Sequence, residues 1–134
     1  MPETPTQTIR RAAALMRERA LAATPSPWRN HDGYVRDGGY VATVLAGEGN
    51  ETRPVAWIPS FSNQPGDLDR QAWPDAIYIA AMHPSVAVLI ADMWDEIANV
   101  TAFEERVSGM TSLSSIAARA LTAARAWLGD TEEN

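Results

Sequence analysis

The sequence predicts an α+β fold: an N-terminal helix, a small antiparallel β-meander, and C-terminal helices packed on it. A chain of 134 residues, 46% of them apolar, has the size and composition of one globular domain. Helical periodicity marks both ends of the chain. Between these ends, glycine-containing turns separate short runs rich in β-branched and aromatic residues. We therefore expect a single domain over residues 1–134.

The first segment, residues 1–27, predicts a capped helix followed by a turn. Thr4 is a candidate N-cap, Pro5 suits the first helical position, and Gln7 completes a capping box. Two prolines before residue 28 then end the helix, because proline cannot continue it. The apolar residues between these signals recur at helical spacing and predict one inward stripe: Ile9, Ala12, Ala13, Met16 and Ala20.

Residues 28–58 predict the sheet. Turn signals at 37–39 and 47–50 separate three short runs, and we expect the first strand at 34–36. The third run contains Pro54, which lacks a backbone N–H and therefore favours an edge strand.

Residues 59–73 show no periodicity, so they predict a surface loop. A loop of this length is often mobile or functional, and whether it forms a lid stays open at this point.

Residues 74–129 predict helices, followed by an acidic tail over 130–134 that we expect to be frayed. Pro84 ends a short apolar helix and suits the first position of the next one. That next helix has a predicted inward stripe made of its large apolar residues: Val86, Leu89, Ile90, Met93, Ile97 and Val100.

A break at residues 108–109 precedes the last predicted helix. Thr111 or Ser112 is expected to cap its start, and Gly129 suits its C-terminal end. Its predicted inward stripe is Leu113, Ile116, Ala117, Ala120, Leu121, Ala124 and Leu128.

Charge and composition exclude several classes of protein. A net charge of −6 argues against general nucleic-acid binding, which needs clustered cations to neutralise phosphates. No apolar run reaches the roughly 18 residues that span a bilayer, and no secretory signal is visible. Cysteine is absent, which excludes disulfides and thiol chemistry. We therefore expect a cytoplasmic protein that makes no membrane contact.

Motifs for chemistry are weak, so we predict no catalytic residues, no metal and no cofactor. Nucleophilic catalysis needs a hydroxyl or thiol beside a base, but His31 lies in a predicted turn and His83 at a helix boundary. Asp67 and Asp69 lack the glycine and distal glutamate of a calcium loop. A small hydrolase remains a minor alternative.

Aromatic and arginine residues form the best candidate for a binding surface. Seven aromatic residues fall between positions 28 and 78, and arginines alternate with them. Aromatic faces and guanidinium groups suit a nucleobase with its phosphate, or a protein hot spot. The ordinary alternative is a sheet with aromatic packing and a charged solvent side. The candidate ligand-binding residues are Trp28, Arg29, Arg36, Tyr40, Arg53, Trp57 and Tyr78.

Two segments resemble short phage-encoded proteins. Residues 22–28, which read AATPSPW, are similar to the turn that ends the first helix in Ead-type early-region proteins of temperate phages and their actinobacterial relatives. Residues 75–89, which read DAIYIAAMHPSVAVL, resemble a later helical stretch of the same group. Ser26 departs from the pattern, where glycine is usual. The resemblance spans residues 8–100 and implies a helix, a variable small sheet and a helical hairpin, but no activity.

The resemblance and the aromatic cluster together suggest a non-enzymatic phage or prophage accessory protein with a counter-defence role in the host cytoplasm. The first hypothesis is that it binds and sequesters a nucleotide-type small molecule. The alternative is a protein-interaction module that inhibits or adapts a host protein. A concave pocket lined by arginine would favour the first, and a flat apolar patch the second. We also expect a homo-oligomer, because alanine-rich helical stripes pack closely and short sheet edges need cover.

Overall fold

The computed structural model describes residues 2–35, 39–59, 72–109 and 112–130. The prediction of an α+β fold is confirmed: one helix precedes a three-stranded antiparallel sheet, and three helices follow it. The predicted loop falls outside the described residues over 60–71, as does the predicted frayed tail over 131–134. The elements are α1 (Pro5–Ala22), β1 (Trp28–Val35), β2 (Gly39–Ala46), β3 (Arg53–Pro59), α2 (Ala72–Ala81), α3 (Pro84–Ser108) and α4 (Ser115–Leu128).

The chain divides into two compact units. The first, here called the helical unit, contains residues 1–19 and 87–134. The second, the sheet unit, contains residues 20–86, and the boundaries between the units fall inside α1 and α3. The expectation of a single cooperative domain stays a prediction, and we describe each unit separately.

The helical unit has a core of small and large side chains from α1, α3 and α4. The predicted stripe of α1 is confirmed, since Ile9, Ala12 and Ala13 are fully buried. At the rim of this core, Arg17 Nη2 donates to Asp92 Oδ1 at 2.8 Å and to Asp95 Oδ2 at 2.9 Å. These two hydrogen bonds raise the pKa of Arg17 above its usual range, and the bond to Asp92 has the larger effect. The buried core residues are Ile9, Ala12, Ala13, Met16, Ala91, Trp94, Ala98, Ala120, Leu121 and Ala124.

The predicted inward stripe of α3 is wrong in three of its members. Leu89, Met93 and Val100 are exposed, and the buried residues of the helix are instead Ala91, Trp94, Ala98 and Thr101. Small alanines let neighbouring helices approach closely, so this face is buried although it contains few large apolar residues. The periodicity of large residues therefore identified an apolar face of α3, but a different face forms the core.

Two of three helix ends follow the local capping signals, and the start of α4 departs from them. The capping box is confirmed, because Gln7 N donates to Thr4 Oγ1 at 3.1 Å and Thr4 N donates to Gln7 Oε1 at 2.9 Å. The predicted cap of α4 is wrong: Ser114 accepts from Ala117 N at 3.2 Å. Gly129 ends α4 with a φ of 78°, as predicted.

One residue of the predicted α4 stripe is also misplaced. Ile116 is exposed, whereas Ala117, Ala120, Leu121 and Ala124 are buried. Helix α4 begins at Ser115, two or three residues later than the predicted cap implies, and Ile116 in its first turn is not on the face that carries Ala117 and Ala124.

The sheet unit is a meander in the order β1-β2-β3 with α2 packed on one side. The first strand begins at Trp28, earlier than the expected start at residue 34. The polar residues 29–32 belong to it because they pair with β2, and Trp28 lies opposite Ala46 at the end of β2. Pro54 lies in an edge strand, as predicted, beside a bulge at Val55 where the register with β2 shifts. The buried residues of this unit's core are Ala42, Val44, Ala72, Ala76 and Ala80.

Candidate functional site

The side of the sheet away from α2 presents the best described candidate for a binding surface. Side chains alternate between the two sides of a strand. Ala42 and Val44 of β2 are buried with residues of α2, so the residues of opposite parity in β2 and their cross-strand partners point the other way. We call this set the outer sheet face: Arg29, His31, Thr43, Leu45, Pro54 and Trp57.

Trp57 dominates the outer sheet face. Its side chain is 63% exposed although it stands in a strand, where large aromatic groups are usually covered. It pairs with Thr43, which is buried, and Thr43 pairs in turn with the exposed His31. A shallow apolar hollow lies beside the ring, lined by Pro54, Val55, Ala56 and Trp57.

Arg29 supplies the positive charge of the same face. It pairs across β2 with Leu45, one row from the row of Trp57. Its guanidinium donates to the backbone oxygen of Gly47 and, at 3.5 Å, to Thr52 Oγ1. These two hydrogen bonds hold Arg29 in position. Because a guanidinium has five N–H donors, Arg29 keeps donors for a ligand.

Gly47, the acceptor for Arg29, cannot be replaced without strain. Its φ is 81°, and an added Cβ would collide with the carbonyl oxygen of Glu51. The turn after β2 therefore depends on glycine, and this turn positions the oxygen that holds Arg29.

The candidate residues chosen from sequence do not all share one surface. Arg29 and Trp57 lie together on the outer sheet face, while Trp28 and Arg53 both pair with the buried Ala46 and so point to the α2 side. Tyr78 lies on α2 and is 70% exposed.

Two of those candidates fall outside what the structure describes. Arg36 is outside the described residues, and Tyr40 lies in β2 but its side chain is likewise outside them. The seven-residue set therefore stays a prediction, and among its described side chains Arg29 and Trp57 are the two on the outer sheet face.

Trp28 has a structural role. Its ring packs against the core of the sheet unit, and Nε1 donates to the backbone oxygen of Thr24 at 2.9 Å. The interaction ties the start of β1 to the turn before it. The ordinary interpretation, that an aromatic residue builds the sheet, fits this residue best.

Sequence reasoning missed a side-chain pair at the start of α3. Ser26 Oγ lies 3.1 Å from His83 Nδ1 and accepts from Ser85 N at 3.0 Å. The hydroxyl and the ring are 57 positions apart in sequence, so no local motif announces them. A serine beside a histidine is one element of nucleophilic catalysis, yet here the hydroxyl accepts a helix N–H, which is the geometry of a cap.

A second hollow lies in the helical unit, and its chemistry does not suit a phosphate. It is lined by Thr101, Glu104, Glu105, Ser108 and Ser112. Two carboxylates repel an anion, so a nucleotide would be disfavoured there. Among the described residues, no three His, Cys, Asp or Glu side chains are grouped so that they could hold a metal ion.

In comparisons with known proteins, no family model, no curated protein and no solved structure matches this chain. Within the described ranges, no single helix is long and apolar enough to cross a membrane, and α2 with α3 meets that test of length and composition only as a bent pair.

Proposed function

We propose that this chain is a non-enzymatic protein-interaction module whose outer sheet face binds a host protein. The observation that carries the proposal is Trp57, which is 63% exposed on a sheet side that α2 does not cover. Exposed tryptophan and arginine are the residue types that most often dominate binding energy at protein interfaces.

The shape of the surface favours a protein over a small molecule. The hollow beside Trp57 is shallow and its walls are strand residues of β3. Small-ligand sites are usually clefts that bury most of the ligand, whereas protein partners dock on flatter apolar patches. Neither this hollow nor the acidic one in the helical unit is lined by arginine, which was the feature expected of a nucleotide pocket.

The chemistry of the face specifies the partner. Trp57 and Pro54 offer apolar contact, and Arg29 offers donors that pair with carboxylates. We therefore expect a partner segment that presents an apolar or aromatic side chain close to an acidic one. That the chain comes from a phage or prophage, and acts against host defence, stays a prediction from the resemblance to Ead-type proteins.

Site-specific crosslinking tests the proposal. A photo-reactive amino acid at position 57 should crosslink one host protein in the cell, and the same group at Ile116 on α4, exposed to a similar degree, should not. In chains without the photo-reactive group, Trp57→Ala and Arg29→Ala should each weaken binding of that purified host protein about tenfold or more. A tenfold loss corresponds to roughly 1.4 kcal/mol of binding free energy. Binding that is equal for wild type and Trp57→Ala would show that the outer sheet face is not the recognition surface.

A nucleotide-type ligand remains a second candidate because of one observation. Arg29 and Trp57 lie one row apart on the same face, so an indole could stack with a base while the guanidinium pairs with its phosphate. The protein is titrated with cyclic and linear nucleotides while tryptophan fluorescence and the unfolding temperature are measured. This experiment distinguishes a nucleotide ligand from a host protein as the partner. Saturable quenching that is lost in both Trp57→Ala and Arg29→Ala would favour the nucleotide, and its absence would favour the host protein.

A further inference from the structure

The helix α3 has a second apolar face on the side away from the core of the helical unit. Five large side chains on it are between 51% and 71% exposed. With roughly 3.6 residues per turn, they lie opposite the buried face of Ala91 and Ala98. We call this face the α3 seam, and its apolar members are Leu89, Met93, Val100, Phe103 and Val107.

The spacing of the α3 seam is that of a helix packed lengthwise against another helix. Together with Glu96, its residues recur at intervals of four, three, four, three and four. A helix that is apolar on two opposite sides is normally covered on both. One flank of the seam is closed, because Ile90 and Ile97 pack against the core of the helical unit, and the other flank is polar and exposed at Asp92 and Asn99. An apolar strip with such a polar rim is typical of a protein contact.

We infer that two copies of this chain pair through the α3 seam with their helices antiparallel. Glu96 decides the direction. In a parallel pair, Glu96 would face its own counterpart inside the seam, and two like charges removed from water are strongly unfavourable. In an antiparallel pair centred between Glu96 and Val100, each Glu96 lies beside Val100 of the second copy. The same register places Leu89 opposite Val107 and Met93 opposite Phe103.

Charges at the rim are complementary in the same arrangement. The antiparallel register brings Asp92 of one copy close to Arg106 of the other, twice across the twofold axis. Both side chains are exposed in the single chain, and Asp92, which already accepts from Arg17 through Oδ1, retains a second carboxylate oxygen. Asn99, whose Oδ1 already accepts from Arg10 Nη2 at 3.0 Å, lies close to its own counterpart at the axis and retains its amide N–H donors there. Such rim pairs set the direction and register of paired helices.

The inference is independent of the proposed host contact. The α3 seam belongs to the helical unit and the outer sheet face to the sheet unit. Variants of one surface therefore leave the residues of the other unchanged, and each proposal can fail without the other.

The mass of the chain in solution is the first test. Analytical ultracentrifugation of the wild type in the micromolar range should give twice the chain mass of 14.6 kDa. Val100→Glu and Phe103→Glu should each give the single-chain mass with an unchanged far-UV circular dichroism spectrum, since both side chains are exposed. The matched control Leu21→Glu, on an α1 side chain that is 77% exposed, should keep the doubled mass. A single-chain mass for the wild type, or a doubled mass for both seam variants, overturns the inference.

Introduced thiols test the direction. The chain has no cysteine, so each new thiol is unique. A mixture of Leu89→Cys and Val107→Cys chains should form the mixed disulfide on mild oxidation, because these positions face each other in the antiparallel pair. Leu89→Cys alone should crosslink poorly. Efficient crosslinking of Leu89→Cys with itself would instead show a parallel pair. A monomer that co-sediments with phospholipid vesicles, and loses this binding in the seam variants, would assign the α3 seam to a lipid surface. Either result overturns the inference.

Discussion

The hydroxyl of Ser26 satisfies a backbone group that α3 leaves without an intrahelical partner. Ser85 is the second residue of α3, and the first N–H groups of a helix have no acceptor within it. Ser26 Oγ accepts from Ser85 N at 3.0 Å. The hydroxyl proton then points to His83 Nδ1 at 3.1 Å when the neutral ring is protonated on Nε2. Glycine at this position could make neither interaction, because it has no side-chain hydroxyl.

We expect Ser26→Ala to destabilise the fold by about 1 kcal/mol, the usual contribution of a capping hydroxyl. Urea denaturation followed by circular dichroism measures this. Ser26→Thr, which keeps the hydroxyl, is the matched control and should recover most of the loss. If the alanine and threonine variants unfold at the same midpoint, the cap makes no net contribution.

The two faces of α3 show what a periodic pattern can tell at the scale of one helix. Large apolar residues at helical spacing marked an apolar side of α3, but Leu89, Met93 and Val100 on that side are exposed. The covered side is built on Ala91, Trp94 and Ala98, which share one core cluster with residues of α1 and α4. By contrast, α1 has one apolar stripe only, so its pattern and its burial agree.

The start of α4 provides a prediction about a single element. Ser114→Ala removes the oxygen that accepts from Ala117 N and should cost about 1 kcal/mol of stability. Ser112→Ala, two residues earlier on an exposed serine, should change stability little. Thermal unfolding of both variants measures the difference, and an equal effect at the two positions would show that Ser114 does not act as the cap.

At the scale of the whole molecule, two separate cores have to be stabilised by one chain. Ile9 is fully buried in the core of the helical unit and Val44 in that of the sheet unit. Residues of α1 and α3 fall in both units. Unfolding either unit would therefore shorten helices that continue into the other, which favours a single cooperative transition.

We expect Ile9→Ala and Val44→Ala each to shift one shared unfolding transition. Ile9→Ala should cost about 2–5 kcal/mol and Val44→Ala less, since fewer buried carbons are removed. Far-UV circular dichroism and tryptophan fluorescence should report the same midpoint in each variant. Two resolved transitions, with each variant shifting only one of them, would contradict the prediction of a single domain.

Local chemistry determined the order of elements, the capping box at Thr4, the start of α3 at Pro84 and the edge position of Pro54. Each of these depends on residues within about one turn of one another, where propensity and hydrogen bonding act directly. Two residues of the outer sheet face, Arg29 and Trp57, were accessible in the same way, because tryptophan and arginine are visible in the sequence as residue types. Their grouping was not visible: Arg29 and Arg53 point to opposite sides because each strand's register is set by its partner and, in β3, by the bulge at Val55.

The tertiary structure alone decided which side of α3 is buried, that Ser26 reaches Ser85, and that Trp57 stands uncovered. The physical reason is common to all three. Burial depends on which neighbour covers a face, and that neighbour comes from a distant part of the chain. A periodic sequence pattern states how many apolar faces an element has, whereas packing selects the one that becomes the core and leaves the others available for a partner.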